Sequence, residues 1–171
     1  MMKSAVVTLL NAFLLFGVSV GTAGASDLFE SDIVGKEVGN QVIAGISPDV
    51  AAPWLVADGE VEIGEDGKLE LEVTGLLLGD NTVGPVLSVF ASLVCQKTVL
   101  TGAPTNEVVA STADVPLSAA GDALILEVIA LPASCVAPIV LVRIRLVDVG
   151  SGPIDIELLG VPAPWIAASG F

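Results

Sequence analysis

The sequence predicts an all-β domain, an immunoglobulin-like β-sandwich of about seven to nine strands with one disulfide. Gly, Pro, Asn and Asp turn signals recur throughout the chain, and no stretch shows a convincing 3.6-residue period. Two apolar stretches, 86–95 and 135–146, are rich in β-branched residues, and each carries one cysteine. Both are too short to cross a bilayer as helices, so we expect them to be central strands.

The two cysteines, Cys95 and Cys135, are expected to tie these strands together. Two cysteines in an exported chain most simply form one disulfide. In the chain-entropy model the closed loop of about 40 residues contributes on the order of 4 kcal/mol to stability. A buried thiol pair and an intermolecular bridge are the alternatives.

The first 25 residues have the pattern of a signal peptide. Lys3 gives a positive start, residues 5–20 are mostly apolar, and Ala23-Gly24-Ala25 matches a cleavage site. An uncleaved membrane anchor is the alternative. We expect cleavage, which leaves residues 26–171 as a single domain without a membrane span, either secreted or held at the cell surface.

The clearest hairpin in the chain joins residues 54–63 to residues 68–78. Apolar and acidic residues alternate in both segments, as is typical of half-buried strands. If Ile63 faces Leu69, the apolar side chains share one face and Glu65-Asp66-Gly67 forms a three-residue loop, with Gly67 suited to a left-handed conformation. A two-residue turn would instead bury a carboxylate, so we predict the three-residue loop.

Further strands are predicted over 107–117, 123–131, 135–149 and 165–168. Residues 26–34 are polar with scattered apolar positions, and we expect them to be a mobile start or an edge segment. All 20 acidic residues follow the signal peptide, which removes one of six basic residues, so the mature net charge would be −15. This charge argues against nucleic-acid partners and favours cations or basic partners.

The residue types and motifs that the sequence lacks exclude most kinds of catalytic site. The chain has no His and no Tyr, and it contains no nucleophile-elbow, phosphate-loop or dinucleotide motif. His-based acid–base catalysis, a Ser-His-Asp triad and His metal ligation are therefore excluded, and two cysteines are too few for a zinc site. We do not expect an enzyme.

Paired carboxylates are the one group of residues that could form a catalytic site or a metal site. The predicted register places Glu62 opposite Glu70 and Glu60 opposite Glu72 on the outward side of the hairpin. Such pairs could serve as a glycosidase-like acid–base pair or as oxygen ligands for Ca²⁺. The two candidate Ca²⁺ sets are Asp58, Glu60 and Glu72, or Glu62, Glu65 and Glu70. No Ca²⁺-loop spacing is present, so a solvated acidic face is the preferred interpretation.

Two tryptophans and two arginines are the other candidates. Trp54 and Trp165 could stack on a sugar or enter a partner's pocket, although core packing is the expected use of such scarce aromatics. Arg143 and Arg145 point the same way from one strand and could hold a carboxylate ligand, but charge balance on a sheet face is the preferred interpretation.

The order of these features resembles a group of small exported bacterial proteins of unknown function. The similarity depends on the two cysteines and on the terminal W-I-A-x-x-G-F, residues 165–171. It implies the same type of sandwich and no particular activity.

We therefore expect an exported, non-enzymatic structural or binding module without a cofactor. A Ca²⁺-dependent surface or adhesion protein and a secreted carbohydrate-active protein are the alternatives. A protein or glycan partner and self-association both stay open.

Overall fold

A computed structural model describes residues 27–36, 42–48, 53–97, 105–159 and 163–169. The expected signal peptide, together with Gly170 and Phe171, lies outside this part of the chain. The all-β prediction is confirmed. The strands are β1 (Asp27–Gly35), β2 (Trp54–Leu55), β3 (Asp58–Gly64), β4 (Lys68–Thr74), β5 (Leu77–Leu78), β6 (Ser88–Lys97), β7 (Thr105–Ser111), β8 (Val115–Pro116), β9 (Ala123–Val128), β10 (Val136–Ile144), β11 (Leu146–Asp148), β12 (Pro153–Asp155) and β13 (Trp165–Ser169). A 3₁₀ helix spans Glu157–Leu159.

Nine strands form one curled antiparallel sheet in the order β7-β6-β10-β13-β1-β3-β4-β9, with β8 also paired to β6. The first part of β1 pairs with β3, whereas its last three residues pair with β13. The sheet therefore divides at β1 into a front layer (β1, β3, β4, β9) and a back layer (β13, β10, β6, β7, β8). Two short ribbons, β2-β5 and β11-β12, complete the regular structure of the described residues.

The main core lies between the two layers and follows from the two-residue period of the strands. Alternate apolar side chains of the front layer meet those of the back layer in one buried cluster. Each fully buried Val, Leu or Ile stabilises the fold by roughly 1.5–3 kcal/mol. The principal members are Val61, Ile63, Leu69, Leu71 and Ile125 from the front, and Val89, Leu93, Val140 and Val142 from the back.

The central strands of the back layer are buried on both faces, which explains the nearly continuous apolar sequences of β6 and β13. All residues of β6 from Ser88 to Cys95 are buried. On the outer side, Ile43 and Ile46 pack with Val94, Leu141 and Trp165 in a second, smaller cluster. The segment 42–48 thus covers part of the outer face of this layer.

The predicted disulfide is confirmed. Cys95 and Cys135 are bonded, and they join the end of β6 to the residue just before β10. Because β6 and β10 are neighbours in one layer, the bond clamps two adjacent strands. It differs in this respect from the disulfide of antibody domains, which links the two sheets.

The expectation for residues 26–34 was wrong. Residues 27–35 form β1, which lies in the interior of the strand order and connects the two layers. Phe29 and Ile33 contribute to the main core, whereas Glu30 and Asp32 are exposed on the opposite face of the strand. The sparse apolar residues of this segment are sufficient because only one face of β1 contributes to the core.

The predicted hairpin register is confirmed. Ile63 lies opposite Leu69, and the turn closes through a hydrogen bond from the Gly67 N–H to the Gly64 carbonyl. Gly67 has a φ of 83°, as the three-residue loop requires. Its carbonyl also accepts a hydrogen bond from the Ile129 N–H, which connects the hairpin turn to the end of β9.

Replacing Gly67 should be more destabilising than replacing Gly150, which has nearly the same φ of 81°. A Cβ on Gly67 would lie 2.3 Å from the Ile129 carbonyl oxygen, whereas a Cβ on Gly150 would meet nothing within 4 Å. We expect Gly150→Ala to cost about 1 kcal/mol from left-handed strain alone, and Gly67→Ala about 3 kcal/mol. Urea unfolding of both variants measures the difference. Equal costs would contradict the close approach of the turn to β9.

Candidate functional site

Six carboxylates share the outer surface of the front layer. They form two cross-strand rows, in which Glu30, Glu62 and Glu70 lie side by side, as do Asp32, Glu60 and Glu72. Their placement follows from alternation, because the neighbouring residues of β3 and β4 face the main core. We refer to these six residues as the acidic face.

The structure confirms the predicted pairs and adds two residues. Glu60 lies opposite Glu72 and Glu62 opposite Glu70. Glu30 and Asp32 of β1 extend the face, and sequence reasoning missed them because their segment was not assigned to the sheet. Within the described part of the chain, the carboxylates of Glu30, Glu60 and Glu62 offer oxygens that all lie within 4.8 Å of one another.

The other predicted carboxylates lie at the margins of this group. Asp58 begins β3 opposite Thr74, and Glu65 is in the hairpin loop. Neither predicted Ca²⁺ set therefore matches the closest cluster, which takes its third carboxylate from β1. Only the identity of β1 as a neighbour of β3 could have revealed that residue in advance.

The carboxylates of the acidic face perturb one another, as the pKa of Glu60 shows. The pKa of Glu60 is raised, first by partial loss of hydration and then by the charges of Glu30 and Glu62. Lys68 lies at the margin of the face and forms an exposed ion pair with Glu70 at 3.0 Å. This hydrogen bond to Glu70 raises the pKa of Lys68. One exposed lysine therefore stands beside six carboxylates.

An apolar strip borders the acidic face on β9. Leu124, Leu126 and Val128 are 50%, 57% and 71% exposed. They lie opposite Glu72, Glu70 and Lys68 of β4, so the strip is the next column of the same surface. The apolar sequence of β9 predicted a strand but gave no indication that alternate side chains face solvent.

The arginines form a separate, internally balanced cluster on the back layer. Arg143 is 7% exposed, donates from Nε to the Ala163 carbonyl and from Nη1 to Ser92 Oγ, and pairs with Glu157. Arg145 pairs with Asp114 at 3.0 Å and with Glu157 at 3.3 Å.

Both guanidinium groups of this cluster also lie over the Phe90 ring. Burial lowers the pKa of Arg143, and Glu157 opposes that shift. The structure thus agrees with charge balance as the role of Arg143 and Arg145, and neither presents a free site for a carboxylate ligand.

The two tryptophans are packed inside the protein. Trp54 belongs to the main core and Trp165 to the smaller cluster behind β10. With 1% and 6% of their surface exposed, neither presents a ring face on which a sugar could stack. Burial favours the core-packing interpretation of both residues.

Two shallow pockets open on the described surface, and the second is bordered in part by Glu72 and Leu124. One of about 290 Å³ lies beside Cys135 and is lined mainly by apolar residues of the 131–138 segment. The other, of about 320 Å³, lies between β8 and the start of β9. Most of the acidic face is open sheet surface outside both pockets.

Comparisons with protein families, with curated proteins and with solved structures give no significant match. The resemblance to small exported bacterial proteins therefore stays a prediction. Among the residues that the structure describes, no helix has the length and apolar character needed to cross a bilayer.

Glu60→Gln should stabilise the protein at neutral pH. A raised pKa means that the native state binds the proton more tightly than the unfolded chain does. The associated stability is present below the ordinary pKa of 4.5 and is lost as the pH rises through the higher native value. We expect the thermal midpoint of the variant to exceed that of the wild type at pH 7, and the difference to be smaller at pH 4.

Glu107→Gln is the matched control, because Glu107 is an exposed strand residue that pairs with Lys97. Its replacement removes an attraction and should leave the midpoint unchanged or slightly lower. A lower midpoint for Glu60→Gln at pH 7, or an equal gain at both pH values, would contradict the repulsion described above.

Proposed function

We propose that this protein is an exported, non-enzymatic binding module, which binds a cationic partner through the acidic face and the adjoining apolar strip. The observation that carries this proposal is the placement of six carboxylates and three exposed apolar side chains on one surface of the front layer.

The acidic face conflicts with sheet stability, which favours a functional explanation. Like charges directly opposite one another on neighbouring strands are destabilising. Departures from local stability rules are expected at functional sites, where a partner provides the compensation. Lys68 pairs with Glu70 at the margin of the face, while Lys97 pairs with Glu107 and the arginines belong to the back layer. A cationic partner would supply the missing counter-charge.

The apolar strip supports a macromolecular partner over simple counter-ions. Exposed apolar patches rimmed by polar residues mark protein interaction surfaces. The strip and the carboxylates are adjacent columns, so one ligand can contact both. The disulfide agrees with the expected export, because such bonds persist in oxidising compartments.

The lack of His and of known catalytic motifs supports a non-enzymatic role. A glycosidase-like pair requires a carboxyl group with a raised pKa in a cleft that surrounds the substrate. The opposed carboxylates of β3 and β4 lie mostly on open sheet surface, and the buried tryptophans offer no sugar platform. The carbohydrate-active alternative therefore has less support.

Charge removal on the acidic face should weaken binding of a cationic probe. The probe is a fluorescein-labelled decalysine peptide, measured by fluorescence anisotropy at two salt concentrations. We expect the triple variant Glu60→Gln, Glu62→Gln and Glu72→Gln to raise the Kd about tenfold, since exposed charges act together on a multivalent cation.

The control triple variant is Glu107→Gln, Asp80→Asn and Asp148→Asn, which changes the net charge equally but elsewhere. Asn keeps a side-chain oxygen for the local turns that Asp80 and Asp148 stabilise. If both triple variants weaken peptide binding equally, the effect depends only on net charge, and the acidic face is not the binding site. A reproducible hydrolytic activity lost in Glu62→Gln or Glu70→Gln would refute the non-enzymatic role.

A Ca²⁺-dependent adhesion protein is the second candidate, favoured by the closeness of the Glu30, Glu60 and Glu62 carboxylates. Thermal unfolding with EDTA, Ca²⁺ or Mg²⁺ at fixed ionic strength separates the two candidates. The lead proposal predicts small and equal shifts for both ions, caused by screening. A large rise with Ca²⁺ alone, lost in Glu60→Gln, would establish the second candidate instead.

A further inference from the structure

We propose that the partner supplies an extended basic segment, which adds to the free edge of β9 as a further strand of the front layer. This inference rests on the proposed function and specifies both its partner and its mode of binding. In this arrangement, lysine or arginine side chains of the added strand cross the apolar strip and approach the acidic face.

One edge of β9 is open among the described residues. β9 pairs with β4 along its whole length, from Ala123 opposite Val73 to Val128 opposite Lys68, without a register shift. In the part of the chain that the structure describes, no strand pairs with its other side. A regular edge strand presents unpaired N–H and carbonyl groups to any extended chain beside it.

β9 lacks the proline, lysine and bulge that commonly protect a sheet edge. Proteins commonly block edges with Pro, Lys, bulges or very short strands. β9 contains no Pro, Gly or basic residue. Its one charged residue, Glu127, accepts a hydrogen bond from the Ala113 N–H at 2.7 Å and is therefore already engaged.

The opposite edge of the sheet provides a contrast. There the pairing of β7 with β6 is interrupted by a register shift, and the two-residue strand β8 ends in Pro116. Glu107 of β7 pairs with Lys97. That edge carries a bulge and a proline, whereas β9 has neither.

The spacing of the strands would let basic side chains of an added strand reach the acidic face. An added strand would lie about 4.8 Å from β9 and about 10 Å from β4. Long basic side chains can lay their methylene groups over apolar surface while the charge stays in water. From the added strand, such side chains would cover Leu124 and Leu126 and direct their charges toward Glu72 and Glu70.

A recess also lies beside the start of β9, next to the position of the added strand. The pocket of about 320 Å³ at the start of β9 has an apolar part, formed by Val73, Val115, Pro116 and Ala123, and its rim includes Glu72 and Asp122. Because strand side chains alternate between faces, inward positions of the added segment would place small apolar residues near this recess. The predicted partner pattern is therefore alternating basic and apolar.

Charge decides between this partner and a second copy of the chain. Pairing of β9 with β9 of another copy would also cover the apolar strip. It would bring together two chains of net charge −14 and would give neither acidic face a counter-charge. A basic segment would cover the apolar strip, pair with the free edge of β9 and supply counter-charge to the carboxylates.

N-methylated peptides test the backbone pairing directly. The probe is a ten-residue peptide of alternating Lys and Val. Two further versions carry N-methyl groups on all Lys amides or on all Val amides. In an edge-added strand, alternate amides face β9 and the others face solvent. We expect one methylated version to lose at least about tenfold in affinity and the other to bind nearly as well as the parent.

The protein variants are Leu126→Lys, on the strip, and Leu158→Lys, which adds the same charge at a residue that is 85% exposed on the 3₁₀ helix. Leu126→Lys should weaken peptide binding about tenfold more than its control does, because it places a like charge beside the incoming lysines. Circular dichroism checks that both variants keep the strand signal.

Other outcomes overturn the inference and separate it from the proposed function. If both methylated peptides bind equally while the triple variant of the acidic face still binds weakly, the proposed function stands and strand addition is refuted. If the triple variant binds normally, the proposed function itself fails. A wild-type dimer in analytical ultracentrifugation that Leu126→Lys dissociates, and that the peptide does not disrupt, would assign the edge to a second copy.

Discussion

The pairing of β6 with β10 is the constraint on which the rest of the structure depends. These strands are buried on both faces over most of their length, so one side completes the main core and the other side supports segment 42–48. The Cys95–Cys135 bond clamps the same pair at one end. Because both faces are occupied, polar residues in this layer need internal partners, and the Arg143–Glu157 cluster provides them.

The front layer has the opposite character, since only one of its faces is used for packing. Val61, Leu69 and Leu71 meet the back layer, and their neighbours along β3 and β4 are free to carry charge. The packing of the core stabilises the fold enough to tolerate the repulsion among the exposed carboxylates of Glu30, Glu60 and Glu62. The back layer therefore provides most of the buried packing, whereas the front layer presents one exposed, charged face.

Sequence alone predicted the hairpin register because burial of a carboxylate excluded the alternative turn, and it predicted the disulfide because only one intramolecular pairing exists. It did not identify β1, whose few apolar residues resemble those of a loose terminal segment until pairing with β3 and β13 is known. The exposure of Leu124 and Leu126 could not be predicted either, since an apolar run fits a strand buried on one face or on both. Contacts between distant segments decided each of these points.

The pairing of β1 with β13 affects how the chain reaches its native state. One strand comes from the start of the described chain and the other from its end, yet they are neighbours in the middle of the sheet. The front and back layers become one sheet only when both strands are present. Contacts of such long sequence separation slow folding, because the loop must close before the contact stabilises it. A nascent chain cannot join the two layers through these strands before β13 has been synthesised, so β1 and the hairpin of β3 and β4 are made long before their connection to the back layer can form.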